Sequence, residues 1–189
     1  MVNADQDPIE LVPADYERWH ERFVAERDRV CDALSRAGLE DDCERIEHVG
    51  STAVPNLAAK DIVDLDIVVR DDAVSEVSKL LAAELGGTRL ENSGEWHPVF
   101  REHEGQRFND HVFAASDDGW KISVVTRDVL RASPAIRAEY ETLKFDLASE
   151  HDELVAYSTG KSPFVERVLE VARTDEAVAF EFSVPVDHR

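Results

Sequence analysis

Two aspartates separated by a single residue, Asp64 and Asp66, and a small-residue turn, Gly50-Ser51-Thr52, have the residue types and spacing for chemistry on a phosphate. The aspartates fall within Ile62-Val63-Asp64-Leu65-Asp66-Ile67-Val68-Val69, whose β-branched, apolar character predicts a strand. Alternation along a strand points both carboxylates to one face, with Cα atoms roughly 6.5–7 Å apart. The other residues are apolar on both faces, so the strand is expected to be interior. Two carboxylates there are costly to bury unless a cation lies between them. Hard oxygen ligands select Mg²⁺ or Mn²⁺ over zinc or copper, and a pair of such ions would sit about 3.5–4 Å apart. Upstream, a strand predicted over Arg45–Val49 stops at Gly50, where glycine lets the backbone approach a ligand. Ser51 and Thr52 can supply a hydroxyl or cap a helical turn whose N–H groups attract a phosphate. His48, at the strand end, either orients this site or is structural.

These residues need a scaffold, and the apolar spacing provides one. Trp19, Phe23, Val30 and Leu34 recur at helical intervals across Ala14–Ala37, ending at Gly38. Cys31 follows Val30 in this pattern and is expected in the core. A second helix is predicted over Asp71–Leu85, followed by two or three strands across 88–115, the clearest being Gln106–Ala115. On that strand Asn109, His111 and Phe113 share one face and Asp110 takes the other. His111 reads equally as a ligand or base of the site and as an ordinary partly buried histidine. Ser133-Pro134 opens a helix carrying Ile136, Tyr140, Leu143 and Leu147. On it Lys144 is either a counter-charge for a phosphate or a surface lysine, with Arg127 and Arg131 as possible additions to the same positive face. Gly160-Lys161-Ser162 imitates a phosphate loop but lacks the earlier glycine and the leading strand, so no Walker motif is present. Lys161 beside a helix start remains a candidate anion contact. Ile9–Val12 is expected as a short edge strand, and 177–186 alternates like a strand able to pair with a second chain.

The expected architecture is α/β (α+β): one domain over 1–189, with a mixed-sheet core over about 9–115, a helical part over about 120–173 and a tail over 174–189. With 41 acidic against 21 basic residues the formal charge is −20, a surface that repels nucleic acid. Spread along the chain, this charge suits a high-salt cytoplasm, where the Debye length falls to about 3 Å at 1 M; an acidic protein of ordinary habitat is the plainer alternative. Only Lys60, Lys79, Lys121, Lys144 and Lys161 are lysines. Two cysteines and no apolar run of membrane-spanning length predict a reducing, cytoplasmic setting without a membrane partner.

The stretch IEHVGSTAVPNLAAKDIVDLDIVV, with the downstream Tyr157, Gly160-Lys161 and Phe164-Val165, resembles the signature of the GrpB-like family, over about Ile9–Ala172. The resemblance implies the nucleotidyltransferase fold of DNA polymerase β, in which Gly-Ser is followed after about a dozen residues by Asp-x-Asp. It implies Mg²⁺ (or Mn²⁺) on Asp64 and Asp66, and the phosphates of a nucleotide or other phosphorylated small molecule at Gly50, Ser51, Thr52, Lys144 and Lys161. The activity implied is nucleotidyl transfer to an unknown acceptor. This chain departs from the family at Asn109, where His-x-His is usual, and no third carboxylate shares the face of Asp64. A non-catalytic nucleotide-binding module and a phosphohydrolase on the same metal pair are the rival readings.

Overall fold

The computed structural model describes residues 9–174 and 178–186. Five strands form one mixed sheet in the order β1-β2-β5-β4-β3: β1 Cys43–Val49, β2 Ile62–Val69, β3 Thr88–Arg89, β4 Trp96–His103 and β5 Gln106–Ala114. β2 runs antiparallel to β1 and parallel to β5, and β5 is antiparallel to β4. The interior position expected for the aspartate strand is therefore observed, and it explains why β2 is apolar on both faces.

One face of β2, formed by Val63, Leu65, Ile67 and Val69, packs on α1 (Tyr16–Ala37) and α2 (Val74–Glu84) through Trp19, Phe23, Val30, Leu34, Val77 and Leu81. Full burial of each large apolar side chain contributes about 1.5–3 kcal/mol, which holds the strand in register. The other face carries Ile62, Asp64, Asp66 and Val68. There Val68 packs with Val49, Phe113, Trp120 and Val124 beneath α3 (Gly119–Ala132). A further apolar cluster joins α3, α4 (Pro134–Glu150) and α6 (Ser162–Thr174) to Val54 and Leu57 of the loop after β1. That cluster fixes the loop, and α5 (Leu154–Thr159) bridges α4 and α6. Ser133 caps α4 by accepting the Ile136 N–H at 3.4 Å, with Pro134 in the first turn, as its sequence predicts. Gly38 ends α1 in the left-handed conformation at φ 72°, its N–H bonded to the last-turn carbonyls.

Three expectations are corrected. The segment Ile9–Val12 is not a strand; Val12 forms one isolated bridge with Ala59. Residues 178–186 form no strand although they alternate, Ala177 lying outside the described residues. Phe180, Phe182 and Val184 instead press onto the α3 and α6 cluster, with Phe182 edge-on to Trp120 at 5.0 Å. Cys31 is exposed on α1, because its position falls just outside the apolar stripe.

Candidate functional site

In the β1–β2 register Val49 lies opposite Asp64, so the turn following β1 is delivered directly onto that aspartate. Gly50 adopts φ 70° and ψ −171°, and a Cβ on it would come within 2.4 Å of Asp64 Oδ2. Both the conformation and the contact require glycine. A short 3-10 turn, Ser51–Ala53, follows and is tied down from several sides. His48 Nε2 lies 3.2 Å from Thr52 Oγ1, and Arg131 Nε donates to the Ala53 carbonyl at 2.9 Å. Lys144 Nζ donates to Ser51 Oγ at 3.1 Å and to the Ala58 carbonyl, while Glu141 accepts the Ala58 N–H at 2.8 Å.

The parallel pairing of β2 with β5 sets Asn109 beside Asp64 and His111 beside Asp66. Asn109 Nδ2 donates to Asp64 Oδ1 at 2.7 Å, and His111 Nε2 stands 3.9 Å from the same oxygen. Trp96 Nε1 donates to His111 Nδ1 at 3.3 Å, which places the ring proton of the neutral imidazole on Nε2, toward Asp64. Burial opposes charge on His111, but the nearby carboxylates of Asp64, Asp66 and Asp110 outweigh it and raise its pKa; a second proton would cost the Trp96 contact. Asp64 is likewise disfavoured as an anion by burial, yet His111, Asn109 and Lys60 hold its pKa below the ordinary value.

Asp66 is 1% exposed, and neither carboxylate oxygen makes a well-formed hydrogen bond. Burial pushes its pKa up to about 7, with only partial relief from His111 and Ser123. An orphaned buried carboxylate beside a second one suits a hard divalent cation, and Mg²⁺ commonly takes one or two protein carboxylates with waters and substrate phosphates completing its shell. Among the described residues no group of three His, Cys, Asp or Glu side chains is arranged to hold a metal. Asp110 cannot supply the third, because it faces α1, where Arg101 Nε lies 2.8 Å from its Oδ2 and Arg101 also pairs with buried Glu26.

Beside Asp64 opens a cavity of about 240 Å³. Gly50, Ser51, Thr52, Asp64 and Asn109 form its sheet side, and Lys60, Tyr140, Tyr157, Ser158 and Lys161 close it from the loop and helices. Three of the chain's five lysines thus converge here: Lys60 and Lys161 line the cavity, and Lys144 lies behind Ser51. Burial, reinforced by Lys60, lowers the Lys161 pKa to about 8; burial and then Lys161 lower that of Lys144 to about 7. Crowding of cations in an otherwise acidic protein makes this the face most favourable to an anion.

Of the residues singled out by sequence, Gly50, Ser51, Thr52, Asp64 and Lys161 share this cavity, and Asp66 and His111 stand on the same sheet face. Lys144 is neither a surface lysine nor a cavity wall; it is 1% exposed and anchors the loop. Arg127 is engaged by Glu47 and the His48 carbonyl, and Arg131 by Ala53 and Asp128, so both arginines brace the loop rather than widening a positive face. His48 stacks on Phe23 at 4.7 Å on the α1 side; burial lowers its pKa to about 3, leaving a neutral, structural ring. Lys60 and Tyr140 also stand in the wall, which no local motif in the sequence marks. The scarcity of lysine was the available signal for Lys60; Tyr140 sat in an ordinary apolar helical stripe.

A mixed sheet with flanking helices, bearing a glycine–serine turn against an Asp-x-Asp strand, defines an α/β protein of the architecture the resemblance implied. The chain belongs to the GrpB family, whose model, described as GrpB protein, matches residues 8–171. A UPF0157 protein of Deinococcus radiodurans is 34% identical over 166 residues, covering 87% of this chain and 82% of that one. The crystal structure of conserved protein GrpB from Enterococcus faecalis superposes with a TM-score of 0.69 at 27% identity, over 86% of this chain and 96% of the other. Cid1 in complex with its short product ApU aligns at 15% identity and a TM-score of 0.49, over 82% of this chain and 51% of that one, a likeness too low to bear on function.

Proposed function

We propose that the chain binds the phosphates of a nucleoside triphosphate in the lysine-lined cavity and transfers the nucleotidyl group to an acceptor hydroxyl. The observation that carries this reading is the meeting of the Gly50-Ser51 turn, the Asp64 carboxylate and the Lys60 and Lys161 ammonium groups around one cavity, with Asp66 two residues along on the same sheet face. Mg²⁺ or Mn²⁺ bound by Asp64 and Asp66 would supply charge neutralisation at the phosphates. Lys161 and Lys60 would hold the phosphates that leave, and Gly50 would let them approach the backbone. His111 and Asn109 keep Asp64 ionised and oriented, making them positioning residues. In the transfer, the acceptor oxygen forms a bond to the α-phosphorus, the bond from that phosphorus to the β-phosphate bridging oxygen breaks, pyrophosphate leaves and the hydroxyl proton passes to solvent.

A second reading, a nucleotide-binding module without turnover, is favoured by one observation: Asn109 and His111 occupy the positions beside the aspartates, and the only acid of β5, Asp110, is consumed by Arg101 on the opposite face. Release of pyrophosphate from each of the four nucleoside triphosphates, followed with Mg²⁺ or Mn²⁺ and a pool of small hydroxyl compounds, separates the two. Release that disappears in Asp64→Asn is the expected result. Tight triphosphate binding without pyrophosphate release under any acceptor contradicts transfer and leaves the binding module.

A further inference from the structure

The walls of the cavity reveal which part of a nucleotide they can read. A nucleobase is ordinarily gripped by stacking on an exposed ring face, a contact available to every base. Two aromatic side chains line the cavity, Tyr140 and Tyr157, and both are already engaged. Lys161 Nζ sits over the Tyr157 ring at 4.3 Å from its centre and Lys60 Nζ at 5.9 Å. Tyr140 has Lys144 Nζ at 5.2 Å and stacks on Phe164 with ring centres 4.9 Å apart. Neither ring offers a free stacking face. What the cavity does offer is cationic and hydroxylic: Lys60, Lys161, Ser51, Thr52 and Ser158, next to the Asp64 carboxylate.

Resting on the reading proposed above, we infer that the cavity recognises a chain of at least two linked phosphates and is indifferent to the base, and that Tyr157 is the positioning residue that sets the two lysines for it. Tyr157 is 2% exposed, so its ring is a fixed platform. Two ammonium groups are attracted to one ring by its quadrupole, which opposes their spreading under mutual repulsion. A single phosphate engages only one of the two, whereas a linked pair engages both, so affinity steps up between mono- and diphosphates and then changes little with the base.

The test is calorimetric binding of inorganic tripolyphosphate, inorganic orthophosphate, AMP and the four nucleoside triphosphates in the presence of Mg²⁺, to the full chain and to Tyr157→Phe, Tyr157→Leu and Lys161→Met. Tripolyphosphate and all four triphosphates are expected to bind within about threefold of one another, a spread under 1 kcal/mol, with AMP and orthophosphate at least tenfold weaker. Tyr157→Phe keeps the ring face and should bind as the parent does, while Tyr157→Leu and Lys161→Met should each lose about tenfold. Because Tyr157→Leu could also loosen the fold, recovery in Tyr157→Phe and the loss in Lys161→Met carry the comparison. One triphosphate favoured more than tenfold over tripolyphosphate overturns the inference and leaves the proposed function standing. Equal tripolyphosphate binding by Tyr157→Leu, in a folded variant, overturns the role of Tyr157. Absence of binding by any of these compounds overturns both the inference and the function it rests on.

Discussion

Gly50 is the residue on which the geometry of the site turns, since its missing side chain is what lets the loop lie on Asp64. Gly50→Ala must both hold alanine at φ 70° and push aside the Asp64 carboxylate or the turn. A loss of about 1–3 kcal/mol in stability is expected, read by chemical denaturation, together with loss of metal-dependent nucleotide binding. A variant as stable and as active as the parent would show that Gly50 and Asp64 are not in contact. His48 gives a separate residue-scale prediction. Its folded pKa of about 3 lies well below the ordinary histidine value near 6.5, so below the latter the unfolded chain binds the extra proton. Stability from this group is therefore complete above about pH 6.5 and falls as the pH drops toward 3. Between pH 6.5 and 4.5 His48 should cost on the order of 2 kcal/mol, a slope that His48→Gln removes. Equal pH dependence in the two proteins would show His48 to be solvated.

At the scale of elements, the site is assembled by α4 reaching across to the loop between β1 and β2. Lys144 and Glu141, on successive turns' worth of one helix face, hold the Ala58 carbonyl and N–H, and Lys144 also holds Ser51. Lys144→Met keeps the aliphatic length but leaves that carbonyl without its donor. It is expected to destabilise the chain by about 1–3 kcal/mol in denaturant and to weaken triphosphate binding through a looser Ser51 turn. A fall in affinity with no change in stability would instead make Lys144 a direct phosphate contact. The aspartate pair and the Gly-Ser turn were legible in the sequence because both depend on local rules, period-two alternation and the conformational freedom of glycine. The roles of Lys144, Lys60 and Tyr157 were not, because each depends on how α4, α5 and the loop pack, which no local period encodes. Alternation misled at 178–186: hydrophobic residues at every second position also arise when an extended segment lies over a core. Glu181 does reach Arg45 of β1, at 3.4 Å, without any backbone pairing.

For the whole molecule, the dominant quantity is the formal charge of −20. Most ion pairs are partly exposed and contribute little each, whereas the summed repulsion acts on the compact state everywhere. Raising KCl from 0.05 to 1 M shortens the Debye length from above 10 Å to about 3 Å and should raise the melting temperature by several degrees. Sucrose at matched osmolality should give a smaller rise, and equal responses would argue against electrostatic relief. The same field repels free nucleotides, which makes the three lysines around one cavity, and the cation expected at Asp64 and Asp66, conditions for any anion to enter. No helix among the described residues is long and apolar enough to cross a membrane.

The most direct test of this account is calorimetric titration of ATP in molar KCl, with and without Mg²⁺ or Mn²⁺, into the parent chain and Asp64→Asn/Asp66→Asn. Binding that requires the metal and is lost in the folded double variant is the predicted result. Equal binding without metal, or by the double variant, would contradict the assignment of Asp64 and Asp66 as the metal-bearing pair.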